Sequence, residues 1–360
     1  MFTPRPDSHG RGAQSAHVSG RFGLATREVD PDWRDWMERL DGPPVKLRTT
    51  VTEERPRSIL SFNQSPDIAF DRSVNAYRGC EHGCIYCFAR PTHAYHDLSP
   101  GLDFETKLFA KPDAAELLRT TLRRPKYRPR PIAMGTNTDP YQPIEDRYRI
   151  TRQLLEVCLD ARHPVTITTK SDRILRDLDL VQELARRNLV AVAISVTTLD
   201  ARLSAKLEPR ATTPAKRMQA IARLSAAGVP TYCNVSPVIP AITDEFLEEI
   251  VEQAAASGSY SCGWIPLRLP HEVAPLFREW LAVHYPDRAE KVMNIVRSIR
   301  GGKDNDSSFF ARFKPSGVWA DLFRARFRIA CRRHGIESKR IELDCAAFRP
   351  PEDGDQPRLL

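Results

Sequence analysis

No apolar stretch in this 360-residue chain approaches the roughly 20 residues that a membrane-spanning helix needs. The longest, Leu189–Val196, is interrupted by Ser195. The opening, MFTPRPDSHGRG, lacks the apolar centre of a secretory leader. Solenoid-type repeats are also missing. These absences lead to the expectation of a cytoplasmic protein with no membrane partner. In such a reducing compartment the eight cysteines are expected as thiols, metal ligands or redox groups rather than disulfides. The apolar share of 41% excludes wholesale disorder. Proline, at 29 of 360, exceeds the usual share of about 5% and predicts many loops.

The net charge of +8 is unevenly placed. Residues 296–349 hold 13 Lys/Arg against 6 Asp/Glu, a net of +7. Phe309, Phe310, Phe313, Trp319, Phe323 and Phe327 lie among those charges. Basic side chains attract phosphates and aromatic faces stack on bases, so this segment could touch DNA or RNA. The plainer expectation is an amphipathic helix over 316–334 that buries Val318, Leu322 and Ile329 and exposes its arginines, with Gly335 as its stop.

From 73 to 270 short apolar runs alternate with helical patterns. Strands are expected at Ser73–Arg78, Ile132–Gly135, Val165–Thr169, Val190–Thr197, Thr231–Val235 and Cys262–Leu267. Helices are expected near 112–123, 147–161, 175–187, 200–207, 214–226 and 243–256. This alternation predicts an α/β fold with a parallel sheet, since parallel strands need crossovers. Six units would make an incomplete parallel (β/α)6 barrel, with chemistry at the C-terminal ends of the strands. The organisation that follows is a disordered N-terminal arm over 1–45, a lead-in over 46–72 and the partial barrel over 73–270. A mainly helical, basic C-terminal extension covers 271–349, and a flexible tail covers 350–360.

The segment NAYRGCEHGCIYCFARPTHAYH, residues 75–96, sets Cys80, Cys84 and Cys87 at C-x3-C-x2-C spacing. Eight cysteines in 360 residues would give this spacing by chance only about 0.004 times per chain. Three thiolates this close repel one another unless a cation or cluster takes up their charge. Zinc would want a fourth ligand, for which His82, His93 and His96 are near. A four-iron cube normally takes four thiolates, so three would leave one iron open to substrate or cofactor. Tyr86 offers a flat face beside the site. The other five cysteines form no second cluster: Cys158 and Cys331 read as core, and Cys233, Cys262 and Cys345 as buried thiols.

With an aromatic residue before the last cysteine, the motif resembles that of the radical S-adenosylmethionine (SAM) enzymes. The stretches SPDIAFDRSVNAYRGCEHGCIYCFARPTHAY, MGTNTDPYQPIE and TITTKS resemble the branch related to spore photoproduct lyase. The resemblance spans roughly residues 57–270. It implies the partial barrel of that superfamily and a 4Fe–4S cluster held by Cys80, Cys84 and Cys87. The open iron of that cluster would chelate SAM. One electron, from a low-potential donor such as flavodoxin or ferredoxin, would cleave the sulfonium. The resulting 5′-deoxyadenosyl radical would abstract a substrate hydrogen.

Many members of the superfamily bind the SAM amino group through a Gly-Gly-Glu stretch that this sequence lacks. Thr136, Asn137, Thr138 and Asp139 stand in its place, at the end of the second expected strand. By the same resemblance Lys170 pairs with the SAM carboxylate. Ser195 meets the ribose or carboxylate, and Glu208 belongs to a Glu-Pro stretch after the fourth strand. Asn234 and Ser236, which alternate with Cys233 and Val235, line the cofactor or substrate side of the fifth. The function expected is hydrogen abstraction in a lyase-like act on nucleic acid. A peptide or small-molecule substrate, or a non-catalytic zinc module that binds nucleic acid, are the alternatives.

Overall fold

The structure, a computed structural model, describes residues 10–17, 19–22, 48–336 and 341–352. Among the described residues ten strands run in order: β1 Thr50–Glu53, β2 Leu60–Phe62, β3 Arg72–Val74, β4 Tyr77–Arg78, β5 Lys107–Ala110, β6 Ile132–Met134, β7 Val165–Thr169, β8 Val190–Val196, β9 Thr231–Val238 and β10 Ser261–Pro266. Seven of them form one sheet in the order β10-β9-β8-β7-β6-β3-β2. Every pairing in it is parallel except that of β2 with β3. The six parallel strands match the six expected, and β10 and β2 stand at opposite edges, so the barrel is open. Helices Ile150–Asp160, Leu178–Arg186, Pro214–Ala226 and Leu247–Ala256 fall inside their expected ranges.

The strand expected over Ser73–Arg78 is instead two. β3 joins the large sheet, whereas β4 pairs with β5 in a separate three-stranded sheet, β1-β5-β4. The break falls at Asn75, whose side chain bonds Thr136 Oγ1 at 3.1 Å and accepts from the Asn137 N–H at 2.9 Å. The helix expected over 147–161 also breaks. Arg149 takes a left-handed φ of 51° and separates Glu145–Tyr148 from Ile150–Asp160.

Register gives the large sheet two unlike faces. Val165, Ile167, Val190, Val192, Ile194, Cys233, Val235 and Cys262 share one face and are buried under the helices. The other face carries Thr166, Thr168, Ala191, Ala193, Ser195, Asn234 and Gly263. One face is filled with aliphatic volume. The other is small and polar, which leaves room for a ligand.

Of the arm expected over 1–45, residues 10–17 and 19–22 are described, and Arg11–Gln14 are buried. The rest of the arm, and residues 353–360 of the tail, lie outside the described residues. The basic helix forms at Val318–Arg333, but in another rotation than expected. Val318, Leu322 and Ile329 are 85%, 44% and 55% exposed, while Ala320, Phe323, Ala330 and Cys331 are buried. The reason is its neighbours. Phe323 and Phe327 pack on Trp264, and Arg326 reaches Glu248 at 2.6 Å. Among the described residues no helix is long and apolar enough to cross a membrane.

Candidate functional site

The cysteine loop leaves β4 through Gly79, whose φ of +73° suits glycine, and whose Cβ would stand 2.8 Å from the Phe104 carbonyl oxygen. The next N–H, that of Cys80, donates to the same oxygen at 2.9 Å. Cys80 and Cys84 are buried, Cys87 is partly so, and all three are free thiols. Burial, then the Asp139 carboxylate and the other two thiols, pushes Cys80 well up. Burial and then Glu208 push Cys84 up, against a lowering pull from Lys170. Burial raises Cys87 against the Ala89 N–H and the charges of Arg90 and Lys170.

Three mutually repelling thiols in one buried loop suit a polycationic group that takes their protons' place. Among the described residues no three His, Cys, Asp or Glu side chains converge as a single-ion site. A cube takes one thiolate per iron and needs no such convergence. His82 and His93 each keep one buried ring nitrogen without a hydrogen-bond partner, but neither joins the cysteines in such a convergence. His82 Nδ1 lies 3.3 Å from Asp139, and His93 Nε2 lies 2.9 Å from the Lys107 carbonyl oxygen. Burial lowers His93 to about 4. The donor set therefore fits the cluster better than zinc.

Beneath the loop is a buried pair that sequence reasoning missed. Arg90 donates to Glu105 at 2.5 Å and to the carbonyls of Gly83 and Cys84 at 3.0 and 2.9 Å. Glu105 also accepts the N–H groups of Gly12 and Ala13 at 3.0 and 2.8 Å. The N-terminal segment is thereby strapped onto the cysteine loop, so closely that a Cβ on Gly12 would stand 1.7 Å from the Gly83 oxygen. No local pattern announces Glu105, because its partners lie far off in sequence.

The 136–139 stretch follows β6. Thr136 pairs with Asn75, Asn137 is exposed, and Thr138 donates to the Gly79 oxygen at 2.6 Å. Asp139 accepts from Thr169 Oγ1 at 2.6 Å and from the N–H groups of Lys170 and Tyr141 at 2.8 and 2.9 Å. Burial pushes it up, but His82, Thr169 and the Lys170 N–H outweigh that and hold the carboxylate at about 2. Its oxygens are thus committed to tying β6, β7 and the cysteine loop together. Lys170 itself stands just past β7, with Nζ 5.7 Å from the Tyr86 ring centroid and no hydrogen-bond acceptor among the described residues.

Glu208 is fully buried and accepts from Arg217, Tyr86 and, at 2.7 Å, Thr197. Burial raises it, but Arg217 and Lys170 hold it at about 2. Its placement in the fold is that of a positioning group for Tyr86 and the cysteine loop. Ser195 and Asn234 are register neighbours on the small, polar face, and Ser236 lies two residues on. Of the ten expected cofactor residues, Thr136, Thr138, Asp139, Lys170, Ser195, Asn234 and Ser236 lie at strand ends or on that face, Tyr86 and Glu208 meet beside the cysteine loop, and Asn137 is exposed.

Residues 74–254 match the radical SAM superfamily. A protein of Mycobacterium tuberculosis strain H37Rv is 38% identical over 242 residues, 66% of this chain and 71% of the relative. One from Methanocaldococcus jannaschii is 28% identical over 222 residues, 61% of this chain and 79% of the relative. Among solved structures, a spore photoproduct lyase mutant with dinucleoside spore photoproduct aligns at a TM-score of 0.56, with 13% identity, 88% of this chain and 86% of that one. Another, with bound S-adenosylmethionine and the same dinucleoside, gives 0.54 at 15% identity and 79% of each chain.

Proposed function

This chain belongs to the radical SAM superfamily, and from that premise we propose that it abstracts hydrogen from a nucleic-acid substrate in a lyase-like reaction. Cys80, Cys84 and Cys87 would hold the 4Fe–4S cluster. The cluster, when bound and reduced by a low-potential donor such as flavodoxin or ferredoxin, supplies the electron that cleaves SAM. The observation that carries the reading is Lys170: a cation at a strand end, without acceptor, whose charge reaches Cys84, Cys87 and Glu208. It would pair with the SAM carboxylate. Thr136 and Thr138 would offer polar groups to the cofactor's amino end. Ser195, Asn234 and Ser236 would meet the nucleoside from the sheet's polar face. Asp139, Glu208 and Tyr86 would fix the loop, Tyr86 giving Lys170 its ring face.

The nucleic-acid branch is supported by the dinucleoside lesion bound in the lyase structures of similar fold. The charge excess of residues 296–349 supports it too. The experiment is anaerobic reconstitution with iron and sulfide, then reduction with dithionite in the presence of SAM. The expected product is 5′-deoxyadenosine, lost in Cys84→Ala and strongly reduced, with cluster content intact, in Lys170→Ala. A colourless preparation without acid-labile sulfide would falsify the reading.

A further inference from the structure

Around the cysteine loop every buried carboxylate and arginine finds an opposite partner. The segment beyond β10 is different. Arg268 stands two residues past Pro266, the last residue of β10. Its guanidinium lies 4.6 Å from the ring centroid of Phe313 and 5.7 Å from that of Phe88, the residue after Cys87. Arg268 Nε is buried without a hydrogen-bond partner, and so is Arg300 Nε. The terminal nitrogens of Arg300 donate to the carbonyls of Leu267 and Arg312 at 2.7 and 3.3 Å. Of the three, only Arg312 touches a carboxylate among the described residues, Asp67 of the β2–β3 loop, at 2.7 Å from its Nε. Asp306 attracts Arg300 without a hydrogen bond between them.

Three guanidiniums thus gather beside the cysteine loop with one carboxylate in contact. Arg268 is half-buried, and its Nε is held away from water without an acceptor, which is costly; the ring faces of Phe88 and Phe313 offset only part of that. An anion with two oxygens would complete it, because a guanidinium fork matches that shape. The neighbouring rings say which anion. Phe88 is 51% exposed beside the half-buried Phe313, and an exposed ring next to an arginine whose Nε lacks an acceptor suits a base beside its phosphate.

We propose that Arg268, backed by Arg300 and flanked by Phe88 and Phe313, is a phosphate subsite beside the cysteine loop, taking one phosphodiester of a single-stranded oligonucleotide whose adjoining base stacks on Phe88. The subsite rests on the nucleic-acid reading above and gives it an address next to Cys87.

The test is fluorescence anisotropy of a labelled oligothymidylate on the reconstituted full chain with SAM, over a series of salt concentrations. Arg268→Gln is expected to weaken binding about tenfold and to lower the salt slope by about one. Phe88→Ala is expected to weaken it by about tenfold with the slope unchanged. Arg268→Lys keeps the charge, so it should keep the slope while losing part of the affinity; this variant also guards against a folding defect in Arg268→Gln. If wild type binds with a salt-dependent affinity and Arg268→Gln binds with the same affinity and slope, the subsite is overturned and the nucleic-acid reading stands. If wild type shows no salt-dependent binding at all, the nucleic-acid reading itself is overturned, and the oligonucleotide at Arg268 goes with it.

Discussion

The cysteine loop and the segment beyond β10 are both dense in charge, and they use it in opposite ways. Near the loop, Glu105, Glu208 and Asp139 are each saturated by arginines, hydroxyls or backbone N–H groups. Their chemistry is committed to holding three thiols and one lysine in place. Beyond β10, Arg268 has ring faces and, among the described residues, no acceptor at its buried Nε. A charge with an internal partner positions. One without a partner is available to recognise something from outside. The same residue types therefore carry different roles, and the partner, not the count, separates them.

The largest effect expected from breaking this contrast is at Glu105. Glu105→Gln removes the charge that faces Arg90 in a fully buried pair. Such a loss costs about 3–5 kcal/mol, because one ion is left buried and unmatched. The expected outcome is a sharply lower melting temperature, with little iron or sulfide retained after reconstitution. Arg268→Met, which removes an ion that is already unmatched, should leave the melting temperature level or raise it. Equal losses in the two variants would erase the distinction between the regions.

A smaller effect is expected where the N-terminal segment meets the loop. In Gly12→Val the new Cβ would need the space of the Gly83 oxygen, 1.7 Å away. Overpacking of this kind costs about 1–3 kcal/mol when the neighbour is backbone. The strap should come off the loop, so that residues 10–22 are cut faster by trypsin and the reconstituted cluster bleaches faster in air. Unchanged proteolysis would mean that the close approach does not hold the strap.

Much of the barrel could be read from the sequence because its strands announce themselves locally. LVAVAISV is almost wholly apolar, and VTITT is followed by a lysine just where the strand ends. The three cysteines were legible for the same reason, all lying within a span of eight residues. What was not legible depends on contacts that no local pattern encodes. Ser73–Arg78 reads as one strand, yet Asn75 turns its side chain to the 136–137 loop and the backbone splits between two sheets. The sequence places Glu208 in a Glu-Pro stretch but does not show that Arg217 and Tyr86 meet on its oxygens. Glu105 and its strap of Gly12 and Ala13 are separated by more than 90 residues of chain.

The smallest expected effect concerns helix Val318–Arg333, where periodicity gave the helix and the wrong face. Val318, Leu322 and Ile329 are spaced as a buried stripe would be, but Phe323 and Phe327 reach Trp264 first and fix the rotation. Leu322→Ser should therefore change stability by no more than about 0.5 kcal/mol, as an exposed substitution does. Phe323→Ala, one residue on, should cost about 3–5 kcal/mol by emptying a buried ring position. Urea melts of the two variants compare adjacent residues of a single helix, so composition and propensity nearly cancel. A loss above about 1 kcal/mol in Leu322→Ser would place that residue inside a core after all, and the rotation that leaves the arginines of this helix beside an exposed apolar stripe would have to be abandoned.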